Sequence, residues 1–159
     1  MVEITKPSAY LKQIYLYLKN GDNESAYSTS KDFVAKFPQE MPAHFLLALS
    51  ALKLNKFDET RIEGRKAFNM AVVPEDMFSC ALICSLAYFE LKEYAKGYEL
   101  LTLVEKTKKT DQLEELLVLF SLAINNPEEA FKHEEELSRL NARAADDLLM
   151  RLMESFPPE

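Results

Sequence analysis

The chain has no tryptophan, three glycines, two cysteines and two histidines in 159 residues. Each scarcity excludes something. Three glycines and seven prolines argue against a β-rich or a disordered chain, since such chains use both residues heavily. Two cysteines cannot supply the disulfide framework of a small secreted domain. His44 and His133 stand far apart, neither beside a serine or cysteine placed as a nucleophile, and glycine-rich phosphate loops are absent. An enzyme is therefore not expected, and no cofactor is expected. A basic surplus is also missing. The net charge of −7 disfavours nucleic acid, because phosphate binding needs a cationic surface. The longest apolar run, Leu116 to Ile124, is interrupted by Ser121 and falls short of the roughly 20 residues that span a bilayer. Met1 to Pro7 contain no apolar signal core. These absences predict a soluble, cytoplasmic protein without membrane insertion.

What the chain does have is helical periodicity from end to end. Its 48% hydrophobic and 28% charged residues suit an ordinary globular protein with one buried core. The apolar spacing predicts nine helices: 8–19, 24–37, 43–54, 58–71, 75–91, 94–108, 111–124, 127–140 and 143–155. Pro38, Pro42 and Pro74 punctuate the pattern, as prolines do at helix starts and stops. No segment alternates with the period of a strand. No linker divides the chain, so a single domain over 1–159 is expected.

One short phrase recurs. Asn20-Gly21-Asp22-Asn23-Glu24-Ser25-Ala26, Asn55-Lys56-Phe57-Asp58-Glu59-Thr60, Lys92-Glu93-Tyr94-Ala95-Lys96-Gly97 and Asn126-Pro127-Glu128-Glu129-Ala130 each join two helical patterns. Each places a small residue just inside the second helix. Between Ala26, Thr60, Gly97 and Ala130 the spacings are 34, 37 and 33 residues. A period near 34 with two helices per unit marks a helical-hairpin repeat.

On these residues the chain resembles the tetratricopeptide repeat (TPR) family. That family sets a small residue and an aromatic in the first helix of each pair, small residues in the second, and a proline near its end. The first repeat offers Tyr10, Tyr17, Gly21, Ala26 and Pro38, although Ile14 and Phe33 are larger than the pattern. The second offers Ala48, Phe57, Thr60, Ala67 and Pro74. The third offers Ser85, Tyr88, Tyr94 and Gly97, and the fourth mainly Pro127 and Ala130. The resemblance implies an all-α, right-handed superhelix of about four helix pairs, over 7–40, 41–74, 75–110 and 111–142. A capping helix over 143–156 would cover the last apolar face, with Ala144, Ala145, Leu148, Leu149, Leu152, Met153 and Phe156 on one stripe.

In the family the first helix of each pair lines a concave face. The matching positions here are Ser8, Leu11, Tyr15 and Leu18; Pro42, Phe45, Leu49 and Leu52; Ser79, Leu82, Leu86 and Phe89; and Gln112, Glu115, Leu119 and Leu122. The apolar members, Leu11, Tyr15, Leu18, Phe45, Leu49, Leu52, Leu82, Leu86, Phe89, Leu119 and Leu122, form the candidate partner-binding groove. The resemblance thus implies a protein-protein interaction module, an adaptor or scaffold, that accepts an amphipathic helix or hydrophobic segment. Family members that hold the C-terminal tail of heat-shock chaperones use a cationic and amide clamp. The matching positions are Leu11, Tyr15, Leu46, Ser79 and Ile83, so no such tail is expected to bind. Other readings stay open. One is a small acidic chaperone of the secretion kind. Another is a structural subunit whose groove is filled by its own C-terminal helix or by a second copy in a homodimer.

Four smaller features have plain readings. Cys80 and Cys84 share a helix face but lack two further zinc ligands, so they are expected in the core and no metal site is expected. Glu134, Glu135 and Glu136 suit a solvated face, and Lys106, Lys108 and Lys109 suit a helix C-terminus. Ile62-Glu63-Gly64-Arg65 matches a protease recognition sequence, which a packed helix should protect.

Overall fold

A computed structural model describes residues 5–155. Among these it contains nine α-helices and no strand: α1 (Pro7–Lys19), α2 (Asn23–Lys36), α3 (Met41–Lys53), α4 (Phe57–Met70), α5 (Pro74–Glu90), α6 (Tyr94–Glu105), α7 (Asp111–Ala123), α8 (Pro127–Leu140) and α9 (Ala142–Ser155). Phe156, which the sequence placed at the end of the last apolar stripe, lies outside the described residues.

Local chemistry sets the boundaries. Prolines open α1, α3, α5 and α8 at their first or second position, where a missing N–H costs nothing. Side-chain caps serve four helix starts. Asp22 accepts from the Ser25 N–H, Thr110 from Leu113 and Asn126 from Glu129, each at 3.2 Å, and Asn141 from Ala144 at 3.0 Å. The recurring phrase is one backbone turn. Gly21, Asn55, Lys92 and Asn125 all adopt φ between 60° and 76°. In each copy the next N–H reaches back to the carbonyl of Tyr17, Ala51, Tyr88 or Ser121, at 2.8–2.9 Å. This is the left-handed helix ending that satisfies otherwise orphaned carbonyls.

One boundary departs from expectation by more than two residues. α6 stops at Glu105, not at 108, because the Thr107 N–H and hydroxyl both turn back to the Val104 carbonyl, at 2.9 and 2.7 Å. The lysines at 106, 108 and 109 therefore lie in a connecting segment rather than in a last helical turn.

The chain forms two compact units, one ending at Glu93 and one beginning at Tyr94. In the first, α1 packs on α2, and α3 touches α1, α2, α4 and α5. Its aromatic centre stacks Tyr10 on Phe33 with ring centroids 4.8 Å apart, and Phe37 meets both edge-on. Ala26, Ile14 and Ala43 complete that cluster. Thr60 and Ala67 on α4, Ala48 and Ala51 on α3, and Ala81 and Ala87 on α5 are all fully buried; small residues of this kind let helix axes approach. Cys80 and Cys84 are buried free thiols. A Cβ on Gly64 would stand 2.5 Å from the Cys84 sulfur, so α4 and α5 meet where only glycine fits. Within the Ile62–Arg65 sequence, Glu63 and Gly64 are buried in α4 while Ile62 is exposed.

In the second unit α7 packs between α6 and α8, and α9 lies on α8 and touches α7. Gly97 on α6 faces the Phe120 ring of α7, where a Cβ would come within 2.4 Å. Val118, Ala130, Leu137, Ala145 and Leu148 form the core between α7, α8 and α9. The last helix buries only part of its stripe. Ala145 and Leu148 are inside, while Leu149 and Met153 remain about half exposed, at 46% and 56%.

Candidate functional site

In the first unit, α1, α3 and α5 are successive neighbours, and each carries three of the candidate groove residues. Leu11 (38%), Tyr15 (62%), Leu86 (43%) and Phe89 (45%) are exposed. Leu18, Phe45, Leu49, Leu52 and Leu82 are half-buried. All nine keep solvent-exposed surface, whereas Ile14, Leu47, Ala48, Ala51 and Ile83, on the same helices, are buried. The three helices are apolar on both sides: one side makes the core and the other retains apolar surface. Leu18 also supports the aromatic cluster. Of the remaining positions, Ser79 spends its hydroxyl on the Glu75 carbonyl at 3.0 Å, and Ile83 is buried.

In the second unit the expected groove positions meet α9. Leu119 packs against the α7–α8–α9 core. Leu122, 42% exposed, lines a pocket of about 300 Å³ with Val118, Ala130, Phe131, Glu134, Leu148, Leu149 and Leu152. Arg151 of α9 is paired with Glu115 of α7, and Asn141 donates to Asp111 at 3.0 Å. The acidic run is only partly solvated: Glu136 pairs with Arg139 and with Lys109, the latter at 3.4 Å.

His44 and His133, far apart in sequence, are both buried on acidic partners. His44 Nδ1 lies 2.7 Å from Glu63 Oε2, and its Nε2 lies 2.8 Å from the Pro38 carbonyl. Glu63 also receives Lys66 at 3.1 Å. In the second unit His133 Nδ1 faces two carboxylates, Glu105 Oε2 at 3.2 Å and Glu114 Oε1 at 3.3 Å. Its Nε2 lies 3.1 Å from the Tyr98 hydroxyl, which donates to Glu129 at 3.2 Å. Glu114 is completely buried, and its Oε2 has no hydrogen-bond partner among the described residues.

Titration behaviour follows from this crowding. Burial, together with the hydrogen bond and charge of Glu114, pushes the Glu105 carboxyl up to about 7. Burial would raise Glu114 as well, but hydrogen bonds from His133 and Glu105 bring it below the usual carboxylate range. Burial would lower His133, but the hydrogen bond to Glu114 and the charges of Glu105, Glu114 and Glu129 hold it above its ordinary value. One sequence signal pointed here. His44 and Glu63 are 19 residues apart, and so are Glu114 and His133, so each pair bridges the two helices of one hairpin.

The helix pairs, their repeated left-handed turn and the small residues at their crossings define a tetratricopeptide-like repeat fold. Solved structures share it. The chain is similar to TTC0263, a thermophilic TPR protein of Thermus thermophilus, with 18% identity, TM-score 0.69, and 92% of this chain and 79% of that one covered. It is similar to pilF of Pseudomonas aeruginosa, with 23% identity, TM-score 0.71, and 92% and 69% covered. It is also similar to MamA of MSR-1, with 14% identity, TM-score 0.67, and 92% and 82% covered. No protein-family model matches the chain, and no curated protein matches it in sequence. Among the described residues, no helix is long and apolar enough to cross a membrane.

Proposed function

We propose that the protein is a non-enzymatic interaction module, an adaptor or scaffold. Its apolar surface on α1, α3 and α5 would take an amphipathic helix or hydrophobic segment of a partner protein. One observation carries this reading: the residues that the repeat register assigns to the inner face keep apolar surface in contact with water. Contiguous exposed apolar surface is what marks a protein-interaction site, unlike apolar residues scattered singly. Tyr15, Leu49, Leu86 and Phe89 are the proposed anchors, since a few aromatic and aliphatic residues carry most of the energy of such contacts. The neighbours' fold supports a protein partner. The single repeat domain over 1–159 and a cytoplasmic setting belong to the same proposal.

Replacing Leu49 and Leu86 by glutamate tests it. Both side chains reach the surface, so helicity should persist while partner capture is lost. Retained capture by a folded variant would refute the assignment.

A further inference from the structure

We propose that Glu105, Glu114 and His133 form a binding site for one divalent transition-metal ion of the zinc class. The three come from consecutive helices: the end of α6, the first turn of α7 and the middle of α8. One ligand atom from each lies within 4.8 Å of the others. Two carboxylate oxygens and an imidazole nitrogen are the donors that zinc-class ions accept.

The spacing separates this cluster from an ordinary ion pair. A charge-assisted hydrogen bond between imidazole and carboxylate closes to roughly 2.7–2.9 Å, and the His44–Glu63 pair does so at 2.7 Å. His133 stands farther from both of its carboxylates, at 3.2 and 3.3 Å. Donor atoms around a tetrahedral ion with bonds of about 2.0–2.1 Å are about 3.3–3.4 Å apart. The geometry fits donors arranged around a centre better than a donor closed onto an acceptor.

Glu114 supplies an independent sign. Its side chain is fully buried and, with Glu105 ionised as a ligand must be, its Oε2 finds no donor among the described residues. A buried carboxylate oxygen left unmatched is costly, and a cation removes that cost. The charge also balances, because one dication neutralises two carboxylates. The outer partners suit a metal-bound imidazole. With Nδ1 on the ion, Nε2–H donates to the Tyr98 hydroxyl, which donates to Glu129. Such a relay fixes the ring and its tautomer. Entry is provided on the Glu105 side, whose side chain is 20% exposed. A fourth position is left to the second oxygen of Glu114 or to water.

The test is a Co²⁺ titration of the full chain after chelator treatment, followed by visible absorption, with Zn²⁺ as competitor. One Co²⁺ per chain, d–d bands of a low-coordinate N/O site and displacement by Zn²⁺ are expected. Glu114→Gln and His133→Gln should each weaken Zn²⁺ binding by roughly 100-fold or more, and Tyr98→Phe by roughly 10-fold. His44→Gln should leave it unchanged. Glu105→Gln, at a part-exposed position, must also lose the bands while circular dichroism stays native. Binding well below one ion per chain would overturn the proposal. So would bands that persist in Glu105→Gln, or a sulfur charge-transfer band placing the ion on Cys80 or Cys84.

Discussion

His44 of α3 and Glu63 of α4 are joined at 2.7 Å, and Glu114 of α7 and His133 of α8 repeat that 19-residue link with acid and base exchanged. The first pair is closed. Its histidine also reaches the Pro38 carbonyl at 2.8 Å, so it ties the α2–α3 connection to α4. Replacing His44 by alanine leaves that carbonyl without its donor and opens a cavity between α3 and α4. We expect a loss of about 1–3 kcal/mol, read from urea unfolding. A change under about 0.5 kcal/mol, the range of an ordinary surface substitution, would show that the pair does not hold the hairpin.

Lys92 is the one long side chain among the four left-handed turn residues, at φ 60°. Left-handed backbone costs a residue with a Cβ about 1–2 kcal/mol. Lys92→Gly should therefore raise stability by about 0.5–1 kcal/mol after the entropy of glycine in the unfolded chain is counted. Asn55→Gly should gain less, because asparagine tolerates this region. The check is the guanidinium midpoint of each variant, and a destabilised Lys92→Gly would contradict the turn geometry.

Gly97 has no room for a side chain. An added Cβ would lie 2.4 Å from the Phe120 ring, and Phe120 is only 3% exposed, so the ring has little space to retreat. Gly97→Ala gains about 1 kcal/mol of helix propensity but overpacks the α6–α7 contact, and a net loss of about 1–2 kcal/mol is expected. Thermal unfolding measures it. A more stable variant would mean that α6 and α7 slide apart readily.

The thiols should be inert. Burial pushes Cys80 up to about 11, helped by the charge of Asp76, and Cys84 up to about 12. At pH 8 the thiolate fraction of each is then about one part in a thousand or less. Native protein should react with a thiol-disulfide reagent far more slowly than denatured protein does, at a rate set by opening of the fold. Equal rates in the two states would place the thiols outside the core.

Much of this architecture is legible in the sequence because it repeats. Gly21, Asn55, Lys92 and Asn125 end their helices by one local hydrogen-bond pattern, so four boundaries could be read from four similar phrases. Ala26, Thr60, Gly97 and Ala130 are all buried, as close helix crossings require. The end of α6 was less visible, because Thr107 stops it with a local hydroxyl bond and neither glycine nor proline marks it. The stripe on α9 reads as continuous, yet only contact with α7 and α8 decides that Ala145 and Leu148 are buried and Leu149 is not. The polar cluster was hidden for a different reason. Glu105, Glu114 and His133 are separated by whole helical segments, and only the packed register brings their donor atoms together.

The most direct test of the proposed binding surface is selection of displayed peptides against the native protein, with depletion on the Leu49→Glu/Leu86→Glu variant. Enriched peptides with apolar residues at helical i, i+3 or i+4, and i+7 spacing are expected. They should bind the native protein saturably and lose binding to the variant, whose circular dichroism is unchanged. Enriched peptides without that pattern, or with equal affinity for both proteins, would contradict it.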